Sequence, residues 1–554
     1  MLDGVLSTAP SPSPQPRSNG QGDSSQRPTG LLPAQDRRAE YPGLKAYSIL
    51  FDAVSLELDE TGIQPECFKD LNLDQIVRAA TVGREDRHLT RFFHLPLKRH
   101  QSIGYRQAVF RDLEDSALVE RFRVFAQYMD AMRTALAGAD KLWHLRQKQR
   151  AFLEAVNEYC LAVNNLARDL ATMTMRSMAL CGFRDCLLGY QESDVFRGLE
   201  QETETLMKGL AAIDYRLQIE GLRITVSRHE SDADFGEAVA RTFAKFRDGE
   251  SRKGFNFKMP MPSMSMNPVE AAILDRVALL FPAEFSALEQ FYLHHRDYLD
   301  PSIANFDREL QFYIGYLELV ETLKRRGLPF CYPDVREDSK DIDCHGAFDL
   351  ALAVALAGAS VPITNDFYLR RPERILVVSG ANQGGKTTFA RMVGQVHYLA
   401  RLGCPVPGHD ARLFLFDELF THFEREEDLS TLRSKLENDL VRIHAIFERA
   451  TPRSLLVMNE SLSSSTLKDA VFLSREILKR IVDGDLVCVF VTFLDELASF
   501  GRSTVSMVAT IRPDDPAQRT FKIVRKPADG LAYALAVAAK HGLTQARIRQ
   551  RWSK

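Results

Sequence analysis

The 554-residue sequence lacks an apolar run long enough to cross a bilayer. The longest, residues 347–363, carries Asp349 and Gly358 and falls short of the roughly 20 residues a spanning helix needs. No basic-then-apolar stretch follows Met1, so no secretory leader is expected. Net charge is lacking too: 71 Lys and Arg stand against 74 Asp and Glu, which gives no global argument for a nucleic-acid partner. Cysteines are few and scattered, at positions 67, 160, 181, 186, 331, 344, 404 and 488. Only Cys181 and Cys186 lie close together, and their spacing fits no zinc or redox pattern. These absences point to a reduced, cytoplasmic setting. What is present is ordinary for a globular protein, 45% hydrophobic and 26% charged residues, and the length calls for about two to four domains.

Residues 1–40 are rich in Pro, Ser, Gly and Gln, with Pro10, Pro12, Pro14 and Pro16 alternating; such a segment cannot bury enough apolar surface to fold and reads as a disordered tail. Residues 41–335 read as a mainly α-helical unit. A helix is expected near Leu71–Val77 and another over 103–112, and residues 113 to about 220 show almost unbroken helical patterning, long helices burying one stripe. A strand-like alternation appears at 222–226. Arg252, Lys253 and Lys258 interleave with Phe255 and Phe257, a pattern that can touch a nucleic-acid backbone or simply form a loop at the tip of a helical arm. Helical patterns resume over 269–326. From 336 to 554 strands alternate with helices, which argues for an α/β unit with a mostly parallel sheet. Its expected strands are 375–379, 412–416, 454–458, 486–492 and 505–511, with 519–524 at an edge. From Arg519 to Lys554 nine Lys and Arg face the single Asp529.

The most informative stretch is Gly380-Ala381-Asn382-Gln383-Gly384-Gly385-Lys386-Thr387-Thr388. It follows the apolar run 375–378, precedes a helical pattern to about Leu402, and fits the phosphate-loop pattern G-x-x-x-x-G-K-[ST]. Glycines let successive backbone N–H groups turn onto phosphate oxygens while the helix aims its positive end at the same place. In that reading Lys386 reaches the β- and γ-phosphates and the Thr387 hydroxyl holds Mg²⁺. A second apolar strand ends in Asn459-Glu460. An aspartate often holds Mg²⁺ at the first position; Asn459 keeps the shape without the charge. Glu460 is the candidate base that activates water.

The order of these elements resembles the ATPase domain of the MutS family of DNA mismatch-repair proteins. That family's loop reads Gly-Pro-Asn-Met-Gly-Gly-Lys-Ser-Thr, and Asn382 is a match that a generic phosphate loop does not require. Pro362, Asn365 and Asp366 resemble its Pro-Asn-Asp strand, and Gly403-Cys404-Pro405-Val406-Pro407 its Gly-Cys-Phe-Val-Pro turn. Asp428, Leu429 and Ser434 fall on its signature segment, Asp469 on its D-loop aspartate, and residues 529–543 on its C-terminal helical dimerisation element. Residues 92–112 look like the start of its core domain, before the lever helices.

The resemblance implies a P-loop NTPase fold behind a core and lever unit, and an ATPase that uses ATP and Mg²⁺. It places nucleotide contacts at residues 380–388, with Asp469 and the partner-facing Ser434, and metal contacts at Thr387 and Asn459. Catalytic roles fall to Lys386 and Glu460. It also implies a homodimer and a DNA partner. Three departures predict weak hydrolysis: Asn459, Phe493 where a histidine usually follows Thr492, and Leu432 with Lys435 inside the signature. The family's mismatch-reading domain is not expected here; Phe235-Gly236-Glu237 has the letters of its wedge but sits among lever-like helices. The second reading is a nucleotide-gated structural dimer that binds ATP and scarcely hydrolyses it. A generic ABC-type ATPase fits less well, because its signature is missing.

Overall fold

The computed structural model describes residues 46–52, 63–229, 266–424, 435–462, 466–512 and 518–528. The Pro/Ser tail, the basic and aromatic stretch 252–258, Phe235 to Glu237 and the closing element 529–554 lie outside the described residues.

The first half is helical. Ser116–Lys141 and Leu145–Thr172, of 26 and 28 residues, fold back on each other through residues 142–144. Each is about 40 Å long at the α-helical rise. Asp115 caps the first by accepting from the Ala117 N–H, and Leu118, Phe122, Phe125, Met129 and Met132 line its buried stripe. Met178–Gln191 and Asp194–Ala211 extend this helical layer. The helical pattern does not reach 220, however. Tyr215–Glu220 is a strand, paired antiparallel with Arg223–Arg228 so that Leu217 faces Val226 and Ile219 faces Ile224. A two-residue alternation under the charges of Arg216 and Glu220 explains the difference. The chain returns through Pro268–Leu280, Pro282–His294 and Pro301–Lys324. Each has proline in its first turn, where no N–H is needed. Asn267 and Glu270 add a full capping box.

The second half carries a six-stranded sheet in the order Leu419–Phe423, Leu455–Asn459, Val487–Val491, Ile375–Gly380, Thr504–Ile511, Arg519–Arg525. The first five are parallel and the last is antiparallel. Leu455–Asn459 and Val487–Val491 are buried at every residue, as expected of strands covered on both faces. Two expectations change. The strand expected at 412–416 is Asp410–Phe414, and it belongs to a separate four-stranded sheet with Asp334–Arg336, Ile342–Ala347 and Asn365–Leu369. The outer parallel strand is instead Leu419–Phe423.

The helix Lys386–Arg401 joins the halves. The Arg391 Nε donates to the Asp70 carbonyl at 2.9 Å, Gln395 Nε2 to the Leu71 carbonyl at 2.8 Å, Tyr398 Oη to Phe93 O at 2.8 Å and Arg401 Nε to Leu97 O at 2.8 Å. A Cβ on Gly394 would meet Leu71 Cδ2 at 2.7 Å, so the glycine permits this close approach. A single apolar cluster runs from Phe68 and Phe93 through Phe312 and Tyr316 to Phe389, Val393 and Val489. Among the described residues no helix is long and apolar enough to cross a membrane, and all eight cysteines are free thiols.

Candidate nucleotide site

The parallel register brings the ends of four strands to one edge. Val378 lies opposite Val491, Met458 opposite Phe490, and Ala509 opposite Gly380. The glycine loop, Glu460 and Thr492 therefore leave the sheet side by side, at the carboxyl ends where open α/β sheets form their binding crevice.

Sterics explain the loop's composition. Gly380 has φ +109°, and a Cβ there would sit 3.0 Å from the Ala509 carbonyl oxygen. A Cβ on Gly384 would meet Ala381 O at 2.8 Å and Ala509 Cβ at 2.9 Å. Gly385, at φ +90°, turns the chain into the helix. Lys386 then curls back over the loop: its Nζ donates to Gly380 O at 3.1 Å, to Ala381 O at 3.4 Å and to Asn382 Oδ1 at 3.3 Å. Glu460 Oε1 lies 3.9 Å away. Burial pushes the lysine pKa below its ordinary value, while Glu460 and Asp495 work against that shift. Thr387 and Thr388 are half-buried in the first helical turn, while Asn382 and Gln383 are exposed.

On the neighbouring strand Asn459 is buried, and its Oδ1 has no hydrogen-bond partner. Glu460 has φ +50°, and its N–H donates to Val491 O at 3.0 Å. The Thr492 N–H donates to Val378 O at 3.0 Å, and Phe493 is exposed to solvent. Asp469 is not drawn into this group. It lies exposed in the first turn of Leu467–Asp483, accepting from the Thr466 hydroxyl at 2.7 Å. Ser434, Asp428, Leu429 and Leu432 lie outside the described residues. Asn365, of the Pro-Asn-Asp resemblance, braces the edge strand: its Oδ1 accepts from the Ile523 N–H at 2.7 Å.

Residues that motif reading did not single out also reach the loop. Arg519 Nε donates to Asn382 O at 3.1 Å. Phe521, at φ +57° and half exposed, lies beside Gly385. Asp495 acts on Lys386 through its charge. All three come from other strands and turns, so no spacing in the sequence could have joined them to the loop.

Fold and site together define an α/β domain with a largely parallel sheet and a glycine loop between a central strand and its helix, fused to a helical core. Comparison with known proteins is in keeping with this. The family model described as MutS domain V matches residues 376–551. The chain is 28% identical over 248 residues to a DNA mismatch repair protein MutS of Lactobacillus helveticus, covering 44% of this chain and 28% of that protein. It is 26% identical over 282 residues to the MutS of Halalkalibacterium halodurans, covering 50% and 32%. It is 32% identical over 130 residues to the DNA mismatch repair protein msh3 of Botryotinia fuckeliana, covering 23% and 12%. Residues 376–551 are thus similar to MutS domain V, and the chain's match spans about a third or less of the length of each of these relatives.

Proposed function

We propose that the chain is a MutS-like P-loop ATPase that binds ATP with Mg²⁺ at residues 380–388, hydrolyses it slowly, and acts on DNA in repair or recombination as a homodimer. The observation that carries this reading is Lys386. Its buried ammonium rests on loop oxygens and faces Glu460. A phosphate chain entering the loop offers the same ammonium stronger, charged acceptors.

Each residue's part follows from its place. Backbone N–H groups of the loop and the amino end of Lys386–Arg401 stabilise the negative phosphates. Lys386 leaves the loop carbonyls for the β- and γ-phosphates, where charge grows as the terminal bond breaks. Glu460, fixed at the sheet edge, orients and deprotonates the attacking water. The donor set fits a Mg²⁺ ion that arrives with the phosphates. Asn459 Oδ1 is a buried oxygen with no hydrogen-bond partner, and the Thr387 hydroxyl would be the second donor. Among the described residues no cluster of three His, Cys, Asp or Glu could hold a metal without a ligand. When bound, the ion neutralises phosphate charge. Both protein donors are neutral, which supports slow turnover. We take 336–554 as the ATPase unit and 41–335 as the core and lever that grips DNA. In the dimer Ser434 would complete the partner's nucleotide site, and Asp469 would serve as the D-loop aspartate.

The neutral Asn459 and the exposed Phe493 favour a second reading, a structural dimer gated by bound ATP. Steady-state ATP hydrolysis with Mg²⁺, measured with and without duplex, mismatched and branched DNA, separates the two. Turnover that Lys386→Ala and Glu460→Ala both abolish, and that DNA raises, supports the ATPase. Tight ATP binding without turnover leaves the gated dimer, and absence of ATP binding sinks both. DNA affinity should fall steeply with salt; no binding at low salt would refute the DNA partner.

A further inference from the structure

The turn that carries Glu460 is backed by a buried polar chain. Glu460 and Leu462 both hold positive φ, +50° and +66°, a region that L-residues enter only when surrounding contacts enforce it. Between them the Ser461 Oγ lies 2.9 Å from His422 Nδ1. His422 sits on the outer parallel strand opposite Met458 and is fully buried. Its Nε2 lies 3.4 Å from Asp439 Oδ1. Asp439 is itself buried, in the second turn of Lys435–Arg449, the helix that begins one residue after Ser434. Arg442 lies 3.9 Å from the same Asp439 oxygen and donates to the Phe423 carbonyl, so helix and strand are tied twice.

Nε2 lies close to the Asp439 carboxylate without meeting hydrogen-bond geometry, while Nδ1 is hydrogen-bonded to the Ser461 hydroxyl. The three letters are those of a hydrolytic triad, but the arrangement is not one. Ser461 is buried, and the serine and aspartate meet the opposite ring nitrogens from those used in such triads. A buried polar chain also costs desolvation that an apolar trio would avoid, so stability alone gives no reason for it.

We infer that Ser461, His422 and Asp439 form a positioning relay that sets the reach of Glu460 according to where the helix Lys435–Arg449 lies. The inference rests on the ATPase reading above. Movement of that helix, whose start adjoins the partner-facing Ser434, shifts Asp439. His422 follows, and with it the hydroxyl that holds the strained turn. The relay does not touch the glycine loop, so it acts on the chemical step and leaves nucleotide affinity alone.

The test uses the full chain, with wild-type turnover measured first. Ser461→Ala removes one oxygen, and kcat for ATP should fall at least tenfold with KM and ATP affinity within twofold. Ser461→Thr, which keeps the hydroxyl, should restore most of it. His422→Asn combined with Ser461→Ala should cost no more than the larger single effect, since both break one chain. If His422→Asn fails to fold, the alanine and threonine pair carries the test. A lowered melting temperature with unchanged kcat, or additive losses in the double variant, overturns the relay. A wild-type chain that binds ATP without turnover overturns the hydrolysis reading and the relay with it. A turning-over wild type with an unaffected Ser461→Ala overturns the relay alone.

Discussion

His397 makes the interior of the ATPase-like half sensitive to acid. It lies on Lys386–Arg401, fully buried, with Nδ1 against the Val393 carbonyl at 2.8 Å and Nε2 without a partner. Phe367, Phe414 and Phe416 surround the ring with centroids 6.2–6.4 Å away. Burial holds its pKa down at about 4, and the Val393 carbonyl offsets this only in part. The fold therefore prefers the neutral ring. Stability from this group is complete above the unfolded value of 6.5 and is lost as pH falls toward the folded value of about 4. Linkage gives a loss of about 2 kcal/mol at pH 5 and about 3 kcal/mol at pH 4. In His397→Phe the proton-linked part disappears while the aromatic volume stays. Urea unfolding of both chains at pH 7.5, 6 and 5 should show the wild type losing about 2 kcal/mol more than the variant across that interval. Parallel pH curves for the two would refute the reasoning, because a ring that protonates without cost is not buried as described.

Three further outcomes are expected. Gly384→Ala drives a methyl into Ala381 O and Ala509 Cβ, which should destabilise the loop by about 1–3 kcal/mol and weaken ATP binding, read by calorimetry. Asn459→Asp places a charge where Oδ1 is now unpartnered; half-saturation of turnover by Mg²⁺ should drop several-fold in a Mg²⁺ titration. Asp307, buried, accepts from Arg87 Nη1 at 2.6 Å and Arg133 Nη1 at 2.5 Å. Its replacement by Ala leaves Arg87 buried beside the exposed Asp130 and should cost about 3 kcal/mol in denaturant unfolding.

Much of the parallel sheet was legible because its inner strands are apolar on both faces. The expected strands 454–458 and 486–492 match Leu455–Asn459 and Val487–Val491 within two residues. Leu419–Phe423 escaped because Thr421 and His422 break that apolar run; His422 is buried with its ring bonded to Ser461, a partner 39 residues away. In the hairpin, Arg216, Gln218 and Glu220 lent Tyr215–Glu220 a helical look, since the partner strand that makes its period meaningful lies beyond a turn. The loop from Gly380 to Thr388 could be read because its chemistry is contiguous. Arg519, Phe521 and the Ser461–His422–Asp439 chain could not, because strands distant in sequence bring them together.

The polar bonds along Lys386–Arg401 bear on how the chain can be divided. A fragment beginning near residue 336 would lose the Asp70, Leu71, Phe93 and Leu97 carbonyls that receive Arg391, Gln395, Tyr398 and Arg401. Four donors would open to water along one face of the helix, and Tyr398 would lose its edge-on contact with Phe68. The glycine-loop turn stands at one end of a beam clamped along its length, and a beam without its clamps no longer fixes where its end points. Nucleotide affinity in such a fragment would depend on residues that never approach the nucleotide.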